Sequence, residues 1–87
     1  MVEGAFVYLL RCGDGSLYCG WTTDLERRLE QHRAGTASRY TRSRAPVSLA
    51  WSLPMSSRGE AMSEEARIKR LPRTEKLLLV GEGPCRA

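Results

Sequence analysis

Residues 6–21 read FVYLLRCGDGSLYCGW, and this stretch decides the fold. Two short apolar segments flank the loop Gly13–Ser16, which contains two glycines. Apolar segments on either side of a short, glycine-containing loop are typical of a β-hairpin. Each segment carries one tyrosine, Tyr8 in the first and Tyr18 in the second. Because a phenol can accept or donate a proton in catalysis, the hairpin could hold two catalytic groups near one site.

The register of this hairpin decides whether the two tyrosines share a face of the sheet. Regular pairing around the loop of residues 13–16 places Cys12 opposite Leu17 and Tyr8 opposite Trp21. Tyr8 and Tyr18 would then point to opposite faces, since side chains alternate along a strand. A bulge, or a loop with an odd number of residues, would bring them to one face, and a loop glycine at positive φ could supply it. A shared site therefore requires a register shifted by one residue.

A helix is predicted directly after the hairpin. Thr23-x-x-Glu26 is a capping-box pattern, and apolar residues then recur at helical spacing, as at Leu25 and Leu29. Gly35 follows the last helical position, where glycine commonly ends a helix. We therefore expect the first helix over residues 24–34.

The second half of the chain predicts one more strand and two more helices. Strict alternation over residues 47–53 is typical of a half-buried strand, which Pro54 should close. Ser57-x-x-Glu60 is a second capping box, and Pro72 suits the start of a helix better than its interior. We therefore expect strands at Phe6–Cys12, Leu17–Trp21 and Val47–Leu53, and helices at Asp24–Ala34, Ser57–Leu71 and Pro72–Val80.

This order, ββαβαα, predicts an α+β fold with a small, mainly antiparallel three-stranded sheet flanked by helices. Residues 1–81 should form one domain, because a chain of 87 residues can build one modest core. Residues 82–87 are expected to be a frayed C-terminal tail. The segment Thr36–Pro46 has no periodicity and should be a basic loop.

Composition narrows the class of protein. Fourteen Lys and Arg against ten Asp and Glu give a net charge of +4, which favours a nucleic-acid partner but is also explained by solubility. The cysteines, Cys12, Cys19 and Cys85, are odd in number and lack C-x-x-C spacing, which argues against a disulfide framework and a zinc site. No apolar run reaches membrane length. We expect a cytoplasmic protein without a membrane partner.

Two side chains of the first predicted helix could carry chemistry. On a helical wheel Leu25 and Leu29 define the buried stripe, Arg28 and His32 lie on its flank, and Arg27 points nearly the opposite way. An arginine at that flank could stabilise charge on a phosphoryl group. Spacing alone favours the simpler interpretation, in which Arg28 is a snorkelling surface residue and His32 a packed, hydrogen-bonded one.

The second predicted helix carries two neighbouring glutamates. Glu64 and Glu65 both border the apolar face, so the wheel does not choose between them. A carboxylate there could bind Mg²⁺, which proteins often hold through one or two carboxylates and substrate phosphate. Helix solubility, with Glu65 and Lys69 as an i, i+4 pair, explains both glutamates equally well.

The basic segment between residues 33 and 44 includes one aromatic side chain. Cations around a stacking ring suit contact with a nucleic-acid backbone, and a solvated arginine-rich loop is the alternative. The candidate nucleic-acid-binding residues are Arg33, Arg39, Tyr40, Arg42, Arg44 and Lys69.

Taken together, several motifs resemble the GIY-YIG endonuclease superfamily, in its compact, single-domain bacterial branch. They are Phe6-Val7-Tyr8, Tyr18-Cys19-Gly20, then Thr23-Asp24-Leu25-Glu26-Arg27-Arg28-Leu29-x-x-His32, and Glu65-x-x-Ile68-Lys69. They occur in the family's order, and the resemblance extends from about Phe6 to Val80. Phe6 stands where the first motif has glycine, and Cys19 is the central residue of the second.

The resemblance implies metal-dependent hydrolysis of phosphodiester bonds in nucleic acid, DNA more than RNA. Tyr8 and Tyr18 match the two motif tyrosines, and one phenol would activate water. Arg28 matches the catalytic arginine, and His32 a position that is often histidine. Glu65 matches the glutamate that binds the divalent metal, Mg²⁺ or Mn²⁺. Cleavage would be structure-selective or nonspecific, with specificity supplied by this module or by a protein partner.

A second hypothesis is a nucleic-acid-binding module on the same fold without cleavage activity. Some members of the superfamily use an active-site asparagine, and this chain contains no asparagine. The basic loop around Tyr40 would remain sufficient for binding.

Overall fold

The computed structural model describes residues 4–81, so the tail predicted for residues 82–87 lies outside the described residues. It contains three strands, β1 (Ala5–Arg11), β2 (Leu17–Thr22) and β3 (Ser48–Met55), and four helices, α1 (Leu25–Ala34), α2 (Arg39–Arg42), α3 (Arg58–Lys69) and α4 (Arg73–Leu79). None of the helices within residues 4–81 is long and apolar enough to cross a membrane.

The strands form one antiparallel sheet in the order β2-β1-β3, which confirms the predicted fold class. The central strand β1 is buried on both faces, which explains why its sequence is an apolar run without alternation. On one face, Val7 and Leu9 pack with Ala61 and Ile68 of α3 in the hydrophobic core. On the other face, Tyr8 meets α1. Helices thus cover the sheet on both sides.

The hairpin register places the two tyrosines on one face. Tyr8 pairs with Gly20 and Leu10 with Tyr18, and the closing pair is Arg11 with Leu17. The loop therefore runs from residue 12 to residue 16, one residue longer than the regular loop considered above. Its Gly15 has φ 85°, in the left-handed region that favours glycine. The shifted register required for a shared site is thus present.

Two helix ends and one strand end test the local predictions. Gly35 ends α1 at φ 81°, as predicted, but the N-cap of α1 is Asp24 and not Thr23, with the Asp24 carboxylate accepting from the Arg27 amide. Ser57 caps α3 through the Glu60 amide at 3.2 Å, as predicted. Strand β3 continues through Pro54, where it was predicted to end. Because β3 is an edge strand, the missing N–H of a proline is tolerated there.

The segment predicted as a basic loop contains the short helix α2, which the pattern did not indicate. Ser38 caps it by accepting from the Tyr40 amide at 3.1 Å. The Thr41 side chain is fully buried, and its hydroxyl reaches His32 of α1. This buried hydrogen bond joins α2 to α1 beside the tyrosines.

Candidate active site

Tyr8 lies at the centre of the site, and Gly20 makes room for it. The Tyr8 ring lies over Gly20 of the neighbouring edge strand β2. A Cβ at position 20 would stand 2.6 Å from the Tyr8 hydroxyl oxygen and 2.7 Å from Cζ, closer than any normal contact. The glycine that ends the second motif is therefore required by packing. It allows a side chain of the central strand to reach towards the sheet edge.

His32 connects Tyr8 to α2 through a buried chain of hydrogen bonds. The Tyr8 hydroxyl lies 2.9 Å from His32 Nε2, and His32 Nδ1 lies 2.8 Å from Thr41 Oγ1. The Thr41 hydroxyl donates to the Ser38 carbonyl at 3.3 Å. Because a hydroxyl has one proton, the Thr41 oxygen accepts from Nδ1–H, and this network assigns Nε2 as the acceptor of the Tyr8 proton.

Burial keeps this pair neutral. His32 is 2 % exposed, and its pKa is lowered by burial first and by the Arg28 guanidinium second. Tyr8 is 1 % exposed, and burial is the main cause that raises the pKa of its phenol. A neutral imidazole that accepts from a neutral phenol satisfies both buried groups, since neither charged form is favoured without water. Tyr8 is thereby held in one orientation.

Tyr18 differs from Tyr8 in its access to solvent. Its side chain is half-buried, on the same sheet face as Tyr8. The ring packs edge-on against His32, with centroids 5.3 Å apart, and against Tyr40 with centroids 5.6 Å apart. Aromatic contacts of this kind fix ring orientation and contribute about 0.5–1.5 kcal/mol each. Tyr18 is thus the phenol of the pair that can meet a substrate.

Arg28 and Glu65 bring opposite charges to the Tyr8 phenol from two helices. Arg28, half-buried on α1, lowers the pKa of Tyr8, whereas Glu65 on α3 raises it. Both effects on the pKa of Tyr8 are smaller than those of burial and of the neighbouring Tyr18 phenol. Arg27, by contrast, is exposed, as the helical wheel predicts. Contacts thus join Tyr8, Tyr18 and His32, and the charges of the other two predicted catalytic residues, Arg28 and Glu65, both act on the Tyr8 phenol.

Glu65 is the carboxylate of this cluster, and its surroundings can be tested for a metal. Its side chain is 20 % exposed, and its Oε2 lies 3.2 Å from Lys69 Nζ. No group of three or more His, Cys, Asp or Glu side chains that could hold a metal occurs within residues 4–81. A single carboxylate fits Mg²⁺ or Mn²⁺ shared with substrate phosphate and water, and does not fit a closed protein cage.

Glu64, the alternative that the wheel left open, is engaged elsewhere. Its Oε1 accepts from Arg67 Nε at 3.0 Å, one turn further along α3, and Arg67 is the main cause that lowers its pKa. The buried thiol of Cys19 lies beside the cluster, and burial followed by Glu65 raises its pKa to about 11. A thiol at that pKa stays protonated and acts as a packing group.

The predicted nucleic-acid-binding residues separate into two groups. Arg44 stacks 3.9 Å above the Tyr40 ring and is paired with Asp14 at 3.0 Å, so it holds Tyr40 against Tyr18. Lys69 pairs with Glu65. The remaining three residues, Arg33, Arg39 and Arg42, are exposed. Arg39 and Arg42 line a cleft of about 430 Å³ together with residues 35–38. Arg33 lines a different cleft, with Glu26, Leu29 and Glu30.

Sequence reasoning missed the part played by Thr41. It is nine residues from His32 in the chain and lies in a segment without periodicity, so no local pattern indicated a contact. The wheel also placed Leu25 and Leu29 in the buried stripe of α1, yet both are half-buried and His32 is the buried residue of that helix. A polar residue becomes the most buried one because its two ring nitrogens both find partners.

Comparison with known proteins gives one family. The model of the GIY-YIG catalytic domain matches residues 4–77. A UPF0213 protein of Nitratidesulfovibrio vulgaris is 58 % identical over 72 residues, which cover 83 % of this chain and 66 % of that protein. A UPF0213 protein of Oceanobacillus iheyensis is 49 % identical, with 92 % of this chain and 93 % of that protein covered.

Two solution structures are similar in fold and in sequence. One is a UPF0213 protein from Bacillus halodurans, with a TM-score of 0.59 and 42 % identity over 93 % of this chain and 88 % of that one. The other is a protein from E. faecalis, with a TM-score of 0.62 and 38 % identity over 91 % of this chain and 84 % of that one.

Proposed function

Since the chain belongs to the GIY-YIG catalytic-domain family, we propose that it is a metal-dependent endonuclease that hydrolyses phosphodiester bonds in nucleic acid, DNA more than RNA. The observation that carries this proposal is the buried Tyr8–His32 hydrogen bond at 2.9 Å with the charges of Arg28 and Glu65 around it. The chemistry needs a base for water, a cation for the phosphate and a metal ligand. In this proposal Tyr18 is the base, Arg28 the cation and Glu65 the metal ligand.

Tyr18 is the general base in this proposal, and Tyr8 positions it. The Tyr8 hydroxyl donates a hydrogen bond to His32 in a site without solvent access, and the neighbouring Tyr18 raises the pKa of Tyr8 further. Because Tyr8 is sealed from solvent, the half-buried Tyr18 is the phenol that can meet the attacking water, and it would take the water's proton as a phenolate. The edge-on contact with His32 and the tilted contact with Tyr40 hold Tyr18 in the orientation that this transfer needs.

Arg28 and Glu65 act on the phosphate. The Arg28 guanidinium offers two parallel N–H groups that match the non-bridging oxygens and gain strength as negative charge develops. Glu65 would hold the divalent ion, which when bound polarises the phosphate and stabilises the leaving oxygen. The Lys69–Glu65 ion pair, at 3.2 Å, is partly exposed and weak. If the Glu65 carboxylate held a metal, the Lys69 ammonium would be available to contact the nucleic-acid backbone.

The test uses two adjacent carboxylates as a matched pair. Labelled branched, flap and single-stranded DNA is incubated with purified wild type, Glu65→Ala and Glu64→Ala, with Mg²⁺, Mn²⁺ or EDTA. We expect cleavage in Mg²⁺ or Mn²⁺, a loss of at least about 100-fold in Glu65→Ala, and near wild-type rates in Glu64→Ala. Equal cleavage by wild type and Glu65→Ala indicates a contaminating nuclease and refutes the proposal.

A nucleic-acid-binding module without cleavage is the second candidate, because the chain contains no asparagine for the position that some family members use. Binding would then weaken steeply with salt, and no product would form with either metal. The same substrates decide between the two, because a salt-dependent mobility shift without any product in Mg²⁺ or Mn²⁺ favours the module.

A further inference from the structure

A cleft of about 340 Å³ adjoins the catalytic cluster where β2 ends and the chain turns into α1. Its wall combines Trp21, Thr22 and Thr23 with two arginines, Arg28 from α1 and Arg58 from the first turn of α3. This volume is at the lower end of the range for ligand-binding clefts, which is about 300–1,000 Å³. Arg28 is one of the predicted catalytic residues, so the cleft includes a side chain of the candidate active site in its wall.

The two guanidinium groups in this cleft lack acidic partners. Within residues 4–81 neither Arg28 nor Arg58 makes a salt bridge, whereas Arg44 and Arg67 each pair with a carboxylate. Two cations on one wall repel each other, and an anion between them removes that repulsion. The fork of an arginine fits phosphate oxygens in particular.

A hydroxyl and an aromatic side chain complete the cleft. The Thr22 hydroxyl is already engaged with the backbone of Asp24, from which it accepts at 3.1 Å. Thr23 is exposed, and its hydroxyl has no partner among the described residues. The half-buried Trp21 packs against the core on one side. A strand that enters beside Arg28 would therefore meet two cations, one free hydroxyl and one indole.

We propose that this cleft is a second nucleotide subsite, in which Arg58 and Thr23 bind the phosphodiester next to the scissile one and Trp21 contacts its nucleoside. The inference rests on the proposed function, because Arg28 is shared between the two phosphates. A neighbouring cleft of about 290 Å³ shares Thr22, Thr23 and Arg28 and continues along α1 to Arg27 and Gln31, which gives the nucleic-acid strand a path away from the site. The Asp24 carboxylate also lines this cleft, where it accepts from the Arg27 amide at the start of α1.

The first test measures binding in EDTA, so that cleavage plays no part. A fluorescein-labelled single-stranded 15-mer is titrated with wild type, Arg58→Ala and Arg67→Ala at several salt concentrations. Arg67 is the matched control, because it is an exposed arginine nine positions along the same helix and thus on its opposite side. For Arg58→Ala we expect about 5–10-fold weaker binding and a salt slope lower by about 0.7.

The second test places the strand at Trp21. In a Trp51→Phe background Trp21 is the remaining tryptophan, because the chain has two. The 15-mer should quench its emission, and adding Arg58→Ala should raise the concentration needed for quenching by the same 5–10-fold factor, about 1–1.4 kcal/mol. A Trp21→Phe variant, which keeps Trp51 on β3, should show no quenching. Quenching of equal size by the same concentration of a mononucleotide indicates a free-nucleotide site and overturns the inference.

The outcomes separate the subsite from the nuclease. If wild type cleaves and Arg58→Ala binds like Arg67→Ala, the subsite is refuted and the nuclease stands. If Arg58→Ala weakens binding but wild type never cleaves, the subsite stands and the nuclease is refuted. If wild type binds no oligonucleotide at low salt, both are refuted. Where cleavage occurs, Arg58→Ala should raise KM and leave kcat within about twofold, since the interaction is made before and during the reaction.

Discussion

Replacing Gly20 by alanine tests the packing on which the candidate site depends. The new methyl group would stand 2.6 Å from the Tyr8 hydroxyl oxygen, 2.7 Å from Cζ and 3.2 Å from Cε1. Tyr8 cannot swing aside cheaply, because its side chain is 1 % exposed and its hydroxyl is bonded to the buried His32. Either the ring moves and the hydrogen bond breaks, or β2 moves away from β1.

The magnitude follows from three contributions. Overpacking of a filled core costs about 1–3 kcal/mol. Separation of Tyr8 from His32 leaves two buried polar groups unsatisfied, which costs about 1–3 kcal/mol more. Alanine is better than glycine inside a strand by about 0.5–1 kcal/mol, since less backbone entropy is lost on folding. We therefore expect Gly20→Ala to lower the free energy of unfolding by roughly 1–5 kcal/mol.

The assay is urea denaturation followed by far-UV circular dichroism, with Gly59→Ala as the matched control. A Cβ at Gly59 of α3 would meet nothing closer than 3.9 Å, so that variant should be more stable than wild type by up to about 1 kcal/mol. A Gly20→Ala protein within about 0.5 kcal/mol of wild type would refute the argument that Gly20 is required by the Tyr8 ring.

Three further predictions concern the chain of groups beside Tyr8. The pKa of His32 is lowered from 6.5, so the native state binds fewer protons than the unfolded state and stability should fall as pH drops below 6.5, by at most about 1.4 kcal/mol per pH unit. Urea titrations at pH 7.5, 6.0 and 5.0 check this, and an identical decline in His32→Gln would contradict it. Thr41→Val should cost about 1–3 kcal/mol because Nδ1–H of His32 loses its acceptor, whereas Thr41→Ser should keep most of that stability in the same titration. Arg44→Leu should cost less than about 1 kcal/mol in unfolding, since it removes a partly exposed cation–π contact, yet it should increase the mobility of the Tyr40 ring in NMR relaxation, and an unchanged ring would argue against its positioning role.

Much of the fold could be predicted because its signals are local. The hairpin, the helix stop at Gly35 and the cap at Ser57 each depend on a few neighbouring residues, and all three are present. The prediction missed α2, because a single turn of helix has no hydrophobic period to detect. It also ended β3 one residue before Pro54, because the position of a strand at the sheet edge is a property of the assembled sheet.

The candidate site shows the same division. Helical spacing correctly predicted that Arg27 is exposed and that Arg28 is partly buried, because both residues lie on one helix of known geometry. It could not choose between Glu64 and Glu65. Each glutamate pairs with a cation of its own helix, and the two differ in that the charge of Glu65 also acts on Tyr8 of the sheet. That assignment by family resemblance stays a prediction, which the paired glutamate variants test.

The sequence by itself determined the order of the strands and of every helix except α2, the family, and which residue types were available for chemistry. Periodicity and caps are properties of short segments, so they could be identified without knowing what each segment packs against. Only the tertiary structure decided that Tyr8 and Tyr18 share a face of the sheet. The loop of residues 12–16 shifts the pairing of β1 with β2 by one residue, and such a shift moves the side chains of one strand to the opposite face relative to the other. It also decided that Thr41 would complete the hydrogen bonds of His32, since that contact joins two helices and has no trace in local spacing.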